Sequence, residues 1–489
     1  MSLLKKLASE TALYGLSSIL GRFITYMMVP LYTRTLSKAE NGTITELYAY
    51  SAFLMVLLSY RLESAFFRYG TPQEDRDRAF STAMWSLLGT TLLITLAVLA
   101  SEQNIANALA YDKHPEYIRW FALMLAFDCL AEIPFARLRL EQRPIKFVTA
   151  KFFNIGIIVV LNLFWLVVCP WAAQQGYAWV HRVWSPEIRV GYVFITNVIA
   201  SLATFLLLWP QVRKASFALF DAVLWKKMIL YAAPLIVVQF AGIVNAMFDR
   251  TMQKWLLPGT PDENLAAVGV YGNLYKLAML ITIATQAYRY AAEPFFFRHA
   301  ADENAKETQA KVTKWFTIAS AAGMLGVVLY LDWIKYLLGE DFRIDLQLVP
   351  ILLLANVLLG IYYNFSVWYR LRDKTAVGAA IAIGGAVITV VLNLVLLPRI
   401  GYAGSAWAAL ACYAFMCFFT WLLGQRYYPV PYAMGRMGFY LGLAIALCFV
   451  SLWLDTMVPV GWGRFGVHTV LLLVYPGVVF FLEKSRQLQ

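Results

Sequence analysis

Two basic residues lie inside long apolar segments of this chain, where charge is costly. Arg22 lies in the segment 11–33, and Lys276 lies about ten residues into the segment 266–290, roughly 15 Å deep at helical rise. A charge at the centre of a bilayer costs roughly 2.5–3.5 kcal/mol even on the mildest scale, so each side chain needs a partner or a wet cavity. A guanidinium gives bidentate contacts and an ammonium a point charge, which together suit a diphosphate. We therefore hypothesise that Arg22 and Lys276 bind an anionic substrate group.

Two acids lie in a third apolar segment, 116–136. Asp128 and Glu132 are four residues apart, so they share one face of a helix. Two interpretations stay open at this point. The acids either balance the charge of Arg22 or Lys276, or they form a protonatable or cation-coupling site.

Further charges recur near the predicted ends of helices. They either contribute to gates that open and close or anchor helix ends at the membrane interface. Asp249 stands beside one of them, Arg250, and indicates a local ion pair. The gate candidates are Arg61, Glu63, Arg289 and Glu293 at inner ends, and Arg34 and Arg250 at outer ends.

The composition predicts a membrane protein. The chain has 489 residues, of which 61% are hydrophobic and 14% charged, whereas soluble domains carry about a quarter charged residues. The apolar runs of about 20 to 25 residues are long enough to cross a bilayer as helices. We predict an all-α polytopic membrane protein with about 14 transmembrane helices, near 11–33, 44–67, 79–100, 116–136, 147–170, 190–210, 228–249, 266–290, 312–331, 347–369, 376–397, 402–424, 436–454 and 465–483.

The distribution of charge predicts the orientation. With both termini cytoplasmic, the inside segments hold about twice as many Lys and Arg residues as the outside segments. The net charge of +12 is then mainly a topology signal, and no basic run indicates nucleic-acid binding. The five cysteines form no CxxC pair, the four histidines have no metal spacing, and no Walker lysine loop is present. We expect no metal, no cofactor and no enzymatic activity.

Parts of the sequence occur twice. The segment 63–68 (ESAFFR) returns as 293–298 (EPFFFR), and the segment 159–163 (VVLNL) returns unchanged at 390–394. The segment 137–139 (RLR) returns at 370–372. The three matches keep one order and nearly one offset, which predicts a duplicated unit.

The duplication predicts the organisation of the chain. Six spans per half is an even number, so both halves enter the membrane from the same side and the repeat is parallel. We predict an N-terminal six-helix lobe at 1–215, a second six-helix lobe at 216–430, and two extra transmembrane helices at 431–489.

Several motifs resemble one family of membrane proteins. The motifs lie mainly within residues 1–70, and residues 270–277 (VYGNLYKL) add to them. They resemble the Wzx-like O-antigen and polysaccharide repeat-unit flippases, a branch of the multidrug/oligosaccharidyl-lipid/polysaccharide exporter superfamily. One departure is Asn41-Gly42, where relatives usually have Tyr-Gly. The motifs are YGLSSILGR at 14–22, VPLYTR at 29–34, ELYAY at 46–50 and AFFR at 65–68.

The resemblance implies a function. Such a protein moves an undecaprenyl-diphosphate-linked oligosaccharide repeat unit across the bacterial inner membrane by alternating access between two lobes. The transported repeat unit is used in the biosynthesis of O-antigen, and so of lipopolysaccharide, or in that of capsule or exopolysaccharide. The implied partners are the lipid-linked glycan, membrane lipid and polysaccharide polymerases, and Arg22 and Lys276 lie where family members carry cationic cavity residues.

Other functions stay open. A cation-coupled drug or metabolite antiporter of the same fold predicts an acidic cavity in place of a basic one, and a peptidoglycan-precursor flippase is a rival within the class. A membrane-embedded glycan polymerase or ligase belongs to a different class. The short loops argue against it, because no segment outside the helices is long enough to fold as a separate domain.

Overall fold

The computed structural model describes residues 21, 23–24, 26–299 and 302–484, and of residues 291, 294 and 298 the backbone alone. Within this part of the chain all regular structure is helical. The main helices are α1 (Val29–Thr35), α2 (Lys38–Ser59), α3 (Leu62–Tyr69), α4 (Arg76–Ala100), α5 (Glu102–Ala108), α6 (Pro115–Leu140), α7 (Pro144–Leu163), α8 (Gly191–Leu207), α9 (Ala222–Leu256), α10 (Pro261–Arg298), α11 (Ala305–Leu329), α12 (Leu348–Phe365), α13 (Val367–Leu371), α14 (Thr375–Ile400), α15 (Ala403–Tyr427), α16 (Met434–Leu454) and α17 (Trp462–Lys484).

Shorter segments extend or connect these helices. After α7 the chain continues through one π-helical turn, Phe164–Val168, into the helix Cys169–Gln174. The remaining connections hold single turns of α- or 3₁₀-helix. These turns are Val180–Val183, Trp209–Val212, Phe217–Leu219, Leu331–Ile334, Lys335–Leu337 and Glu340–Phe342.

Helix starts follow local sequence signals. Helix α2 begins with a capping box, in which the Ser37 hydroxyl accepts a hydrogen bond from the Glu40 amide and the Glu40 carboxylate accepts one from the Ser37 amide. Asp221 caps α9 by accepting hydrogen bonds from two backbone amides of the first turn. Pro115 and Pro144 stand at the first positions of α6 and α7, where the missing N–H has no cost.

The helices confirm the predicted fold class. In the described part of the chain, eleven helices are long and apolar enough to cross a membrane. Helix α8 is a shorter apolar helix, and α6 carries the charged residues predicted for the fourth span. Together these thirteen helices match thirteen of the predicted spans, and the chain is a multi-pass helical membrane protein. The first predicted span, 11–33, lies largely outside the described residues.

The chain forms two compact units, 1–269 and 270–489. In the first unit α6 packs against α4 and α8, α8 packs against α7, and α9 packs against α2. In the second unit α15 packs against α12 and α14, and α11 packs against α12 and α16. The boundary differs from the division predicted at 215/216, because α9 and the start of α10 pack with the N-terminal helices. The predicted repeat units 1–215, 216–430 and 431–489 stay a prediction.

Two glycines allow a close approach of backbones in the first unit. A Cβ atom on Gly42 would lie 1.8 Å from the carbonyl oxygen of Leu265, and one on Gly269 would lie 2.1 Å from the carbonyl oxygen of Lys38. The N-terminal ends of α2 and α10 therefore touch where no side chain fits. Asn41, at the departure from the family motif, donates from its amide to the carbonyls of residues 32, 36 and 37 and so fixes the preceding loop.

We expect Gly42→Ala to destabilise the protein. The added methyl group must push α10 away from α2, and overpacking of this kind costs about 1–3 kcal/mol. Thermal unfolding in detergent measures the effect. Gly89→Ala is the matched control, because open space surrounds Gly89 in α4 and alanine favours a helix. Equal melting of the two variants would contradict the close packing.

Candidate functional site

Of the two cations predicted to bind substrate, one lies on a described helix. Arg22 lies outside the described residues. Lys276 is half-buried on α10, where its Nζ atom donates to the Oδ1 atom of Asn273 at 3.2 Å. Asn273 is itself fully buried, so its amide fixes the direction of the ammonium. Binding of substrate by Arg22 and Lys276 stays a prediction.

The acids Asp128 and Glu132 lie in a polar cluster of the first unit. Ser201 on α8 lies near Asp128, and Ser59 on α2 lies near Glu132. The nearby cations are Lys151 on α7, which acts on both acids, and Arg61, which acts on Glu132. The acids therefore have cationic neighbours within their own unit.

Lys151 is a site residue that sequence reasoning misses. The predicted span 147–170 contains Lys151 without giving it a role. In the structure it lies within α7, and its Nζ atom is 4.2 Å from the centroid of the Phe135 ring. Asp128 and Lys151 both have exposed surface, although many protein atoms lie around their charged groups. The signal in the sequence is that each charged residue lies inside an apolar helix. Which charged residues lie near each other depends on helix packing, which residue spacing does not predict.

The second predicted span breaks close to this cluster. Tyr60 and Arg61 have φ angles of 33° and 58° and separate α2 from α3. Two successive left-handed residues that are not glycine store backbone strain, which tends to occur at functional sites. The Tyr60 hydroxyl forms a 2.5 Å hydrogen bond with that of Ser86. The Nε atom of Arg61 is buried and has no hydrogen-bond partner among the described residues.

Glu63 forms an ion pair within the first unit. Its carboxylate contacts Arg139 near the end of α6, and the Arg139 guanidinium lies 5.0 Å from the centroid of the Phe67 ring. Glu63 and Phe67 are four residues apart on α3, so one arginine covers both. The second span is thereby joined to the fourth at the end predicted to face inside.

Glu293 forms the corresponding ion pair in the second unit. Its Oε1 atom lies 3.3 Å from Arg370 on α13 and 2.8 Å from Arg289 on α10. The Arg370 guanidinium lies 5.9 Å from the Phe297 ring centroid, and that of Arg289 lies 3.8 Å from the Tyr363 ring centroid. Here two arginines share one carboxylate.

The two clusters consist of equivalent residues. The repeat that aligns 63–68 with 293–298 also aligns Phe67 with Phe297, and the contacts pair Arg139 with Arg370. This pairing refines the alignment of the Arg-Leu-Arg segments, which on sequence alone matches Arg139 with Arg372. The same glutamate, phenylalanine and arginine meet in each unit, which is what a duplicated ancestor would produce.

The remaining gate candidates lie at the opposite helix ends. Arg250 forms the expected local ion pair, with its Nη1 atom 3.1 Å from the Oδ1 atom of Asp249, and it also donates to the carbonyl oxygen of Ala246. Both charged side chains are buried. Arg34 is exposed at the end of α1. The role of Arg34 and Arg250 in a gate stays a prediction.

A second ionic cluster joins α17 to the loops beside it. Asp332 contacts Lys335 and Arg464 at 2.7 Å each, and Arg464 also contacts Asp455. Partial burial tends to raise the pKa of the Asp332 carboxyl, but the two cations outweigh it and hold that pKa below its ordinary value. This cluster is structural, since its charges satisfy one another. Among the described residues no group of three His, Cys, Asp or Glu side chains could hold a metal ion.

Comparisons with known proteins identify the fold. No family profile and no curated protein sequence matches the chain. The structure is similar to that of the lipid II flippase MurJ in its inward closed conformation, with a TM-score of 0.73 and 11% identity over 96% of this chain and 98% of that one. It is also similar to an inward-facing multidrug resistance MATE family transporter of the MOP superfamily, with a TM-score of 0.60 and 13% identity over 85% of this chain and 94% of that one.

A third solved structure has the same fold. The MATE multidrug transporter DinF-BH has a TM-score of 0.59 and 16% identity over 88% of this chain and 97% of that one. The chain therefore has the fold shared by MurJ and the MATE transporters. These solved structures are of transporters and flippases and not of enzymes. At such low identity the likeness is one of fold alone.

The duplicated clusters generate a stability prediction. Glu63→Gln removes one partly exposed ion pair, which after solvent screening costs about 0.5 kcal/mol. Glu293→Gln leaves two half-buried arginines without their shared carboxylate, so we expect a larger loss of about 1–2 kcal/mol. Thermal unfolding of each variant measures the difference, with Glu303→Gln at an exposed position as control. A larger loss for Glu63→Gln would contradict the shared-carboxylate geometry.

Proposed function

We propose that this protein is a flippase for an undecaprenyl-diphosphate-linked oligosaccharide repeat unit. It acts in the bacterial inner membrane with both termini cytoplasmic, by alternating access, and it supplies the synthesis of O-antigen, capsule or exopolysaccharide. Polysaccharide polymerases that extend the repeat unit on the outside are the partners this role requires.

The observation that carries the proposal is the agreement with MurJ over almost the full chain. The MurJ match covers 96% of this chain, so it must include most of the C-terminal helices α16 and α17. The MATE match covers 85% of this chain. MurJ is described as a lipid II flippase, so its cargo is a lipid, and the motifs in residues 1–70 resemble flippases of lipid-linked repeat units.

The proposed cargo has three parts with different solvent needs. Sugars cannot give up their hydrogen bonds to hydrocarbon cheaply, so the glycan needs a wet path through the protein. The polyprenyl tail stays in lipid. The diphosphate needs cations, which we assign to Arg22 and Lys276. The buried amide of Asn273 supports this assignment because it holds the Lys276 ammonium in one direction.

The gate candidates receive separate roles in this proposal. Glu63 and Glu293 each pair with an arginine of their own unit, so we assign them to holding helix ends together within each unit. Arg61 lies at the strained break between α2 and α3, where a small rotation would redirect its side chain. In this proposal Arg61, Glu63, Arg289 and Glu293 all belong to the inner gate, with the two glutamates fixing helix ends, and Arg34 and Arg250 belong to the outer gate.

The second candidate function is a cation-coupled drug or metabolite antiporter. The observation in its favour is the cluster in the first unit, where Asp128 is accessible and Glu132 lies beside it on α6. Two carboxylates with accessible space could exchange a proton or sodium ion for a cationic substrate. In the flippase proposal the same acids couple an ion gradient to lipid movement.

Reconstitution in liposomes tests the flippase proposal. A fluorescent polyprenyl-diphosphate oligosaccharide is added, and the fraction reached by a membrane-impermeant quencher is followed over time. We expect wild type to move the lipid between leaflets, and Arg22→Gln and Lys276→Gln to reduce the rate at least tenfold. Lys113→Gln is the matched control, since it removes a lysine from an exposed loop and should leave the rate unchanged.

Other outcomes would redirect the proposal. Movement that survives both substitutions would reduce Arg22 and Lys276 to structural charges. If wild type moves none of several lipid-linked glycans but exports organic cations from vesicles, the antiporter is the function.

Asp128→Asn tests the coupling role in either transporter. The variant loses the carboxylate but keeps the size of the side chain. We expect transport driven by an imposed proton or sodium gradient to fall to the rate without a gradient, while downhill movement persists. Glu116→Gln, near the start of α6 and outside the cluster, is the control. An unchanged response to the gradient in Asp128→Asn would exclude this residue from coupling.

A further inference from the structure

A buried ion pair joins α2 to α9 in the first unit. The Nζ atom of Lys254 lies 2.9 Å from the Oε2 atom of Glu46, and neither side chain has any exposed surface. Glu46 lies near the start of α2, whereas Lys254 lies near the end of α9. Further along α2, Phe53 contacts Phe248 and Phe240, which lie progressively earlier in α9. The two helices therefore run in opposite directions, and the pair holds one end of each.

Two further groups contact the pair. Lys254 also donates to the carbonyl oxygen of Leu109, and the Tyr111 hydroxyl donates to the same Glu46 oxygen. The ammonium lies 3.8 Å from the centroid of the Tyr111 ring. Burial, reinforced by the charge of Glu46, raises the pKa of Tyr111 well above its ordinary value, so this tyrosine stays protonated and donates. The connection between α5 and α6 thereby becomes part of the cluster.

The surroundings exclude water from this cluster. The N-terminal end of α10 packs its backbone onto α2 at Gly42 and Gly269, one turn from Glu46. Leu265 is 3% exposed beside Gly42. Separating α9 and α10 from α2 would therefore uncover both charges together. A buried pair is costly to break on one side, because the remaining charge is left without a partner.

The duplicated sequence contains this pair only once. Residues 34–38 (RTLSK) correspond to 250–254 (RTMQK), so Lys254 corresponds to Lys38. Residues 42–47 (GTITEL) correspond to 272–277 (GNLYKL), so Glu46 corresponds to Lys276. The equivalent pair under the repeat would therefore consist of two lysines. Position 276 therefore carries a positive charge, whereas the corresponding position 46 carries a negative charge that pairs with Lys254.

We propose that the Glu46–Lys254 ion pair is a latch. It holds against α2 those ends of α9 and α10 that are predicted to lie on the outer side of the membrane. The pair must separate when the protein opens to that side. The latch presupposes the alternating-access transporter proposed above. The pair links the first helix of the second repeat to the second helix of the first repeat. Rupture of the pair would release the end of α9 from α2, and the start of α10 is tied to that end because the Asn264 amide donates to the carbonyl oxygen of Lys254.

Cysteine accessibility tests the latch without any knowledge of the substrate. Leu265→Cys places a thiol under the contact between α10 and α2, and the five native cysteines are all buried. The rate of labelling by a membrane-impermeant maleimide from outside right-side-out vesicles is measured. In the Leu265→Cys background we expect Glu46→Gln or Lys254→Gln to raise the rate about tenfold or more. The exchange Glu46→Lys with Lys254→Glu should return it towards the starting value.

The controls separate the latch from general loosening. Arg189→Gln removes an exposed arginine that pairs with Glu40 of helix α2, and it should leave the labelling rate unchanged. Because loss of one partner of a buried pair also lowers stability, labelling is measured well below the melting temperature of each variant. If Glu46→Gln and Lys254→Gln do not fold, Glu46→Asp keeps the charge but shortens the side chain, and the latch predicts faster labelling for it too.

Unchanged labelling in the folded variants would overturn the latch and make the pair a permanent staple. Faster labelling together with absent lipid movement would leave the latch standing and reject the flippase.

Discussion

The cost of charge in hydrocarbon organises both units of this protein. Several carboxylates in the apolar helices form ion pairs with cations of another helix, as Glu46 does with Lys254 and Glu63 with Arg139. Because an unpaired partner would be expensive, these contacts fix which helix lies beside which and in what register. Apolar packing alone is less specific in a bilayer, since lipid offers helices a similar environment. The ionic contacts therefore determine helix neighbours, and the small residues allow the closest approach.

The fold class was predictable because span length and hydrophobicity depend on local sequence. Thirteen described helices lie where apolar runs predict them, and α6 is recognisable despite Asp128 and Glu132. The partners of charged residues were not predictable. Glu46 and Lys254 are far apart in the chain, and nothing in their spacing indicates that α9 packs on α2. Lys151 lies near the start of a predicted span, but its spacing does not indicate that it approaches Asp128 and Glu132 of α6.

The contrast between positions 46 and 276 connects structure to the proposed cargo. Positions 46 and 276 correspond to each other in the repeated sequence. Position 46 carries a glutamate that forms an ion pair with Lys254. Position 276 carries a lysine directed by Asn273. A duplicated helix thus provides a fixed point in one half and a cation in the other. This division fits a transporter whose halves share a scaffold but contact different parts of the cargo.

The backbone break at Tyr60 and Arg61 has no counterpart in the corresponding segment of α10. The position equivalent to Tyr60 is Tyr290, also a tyrosine, yet α10 continues through it without interruption. The same residue type therefore occupies a left-handed turn in one copy and a regular helix in the other. The corresponding segments therefore differ in backbone shape, so exchanging them between the two positions would not yield an equivalent chimaera.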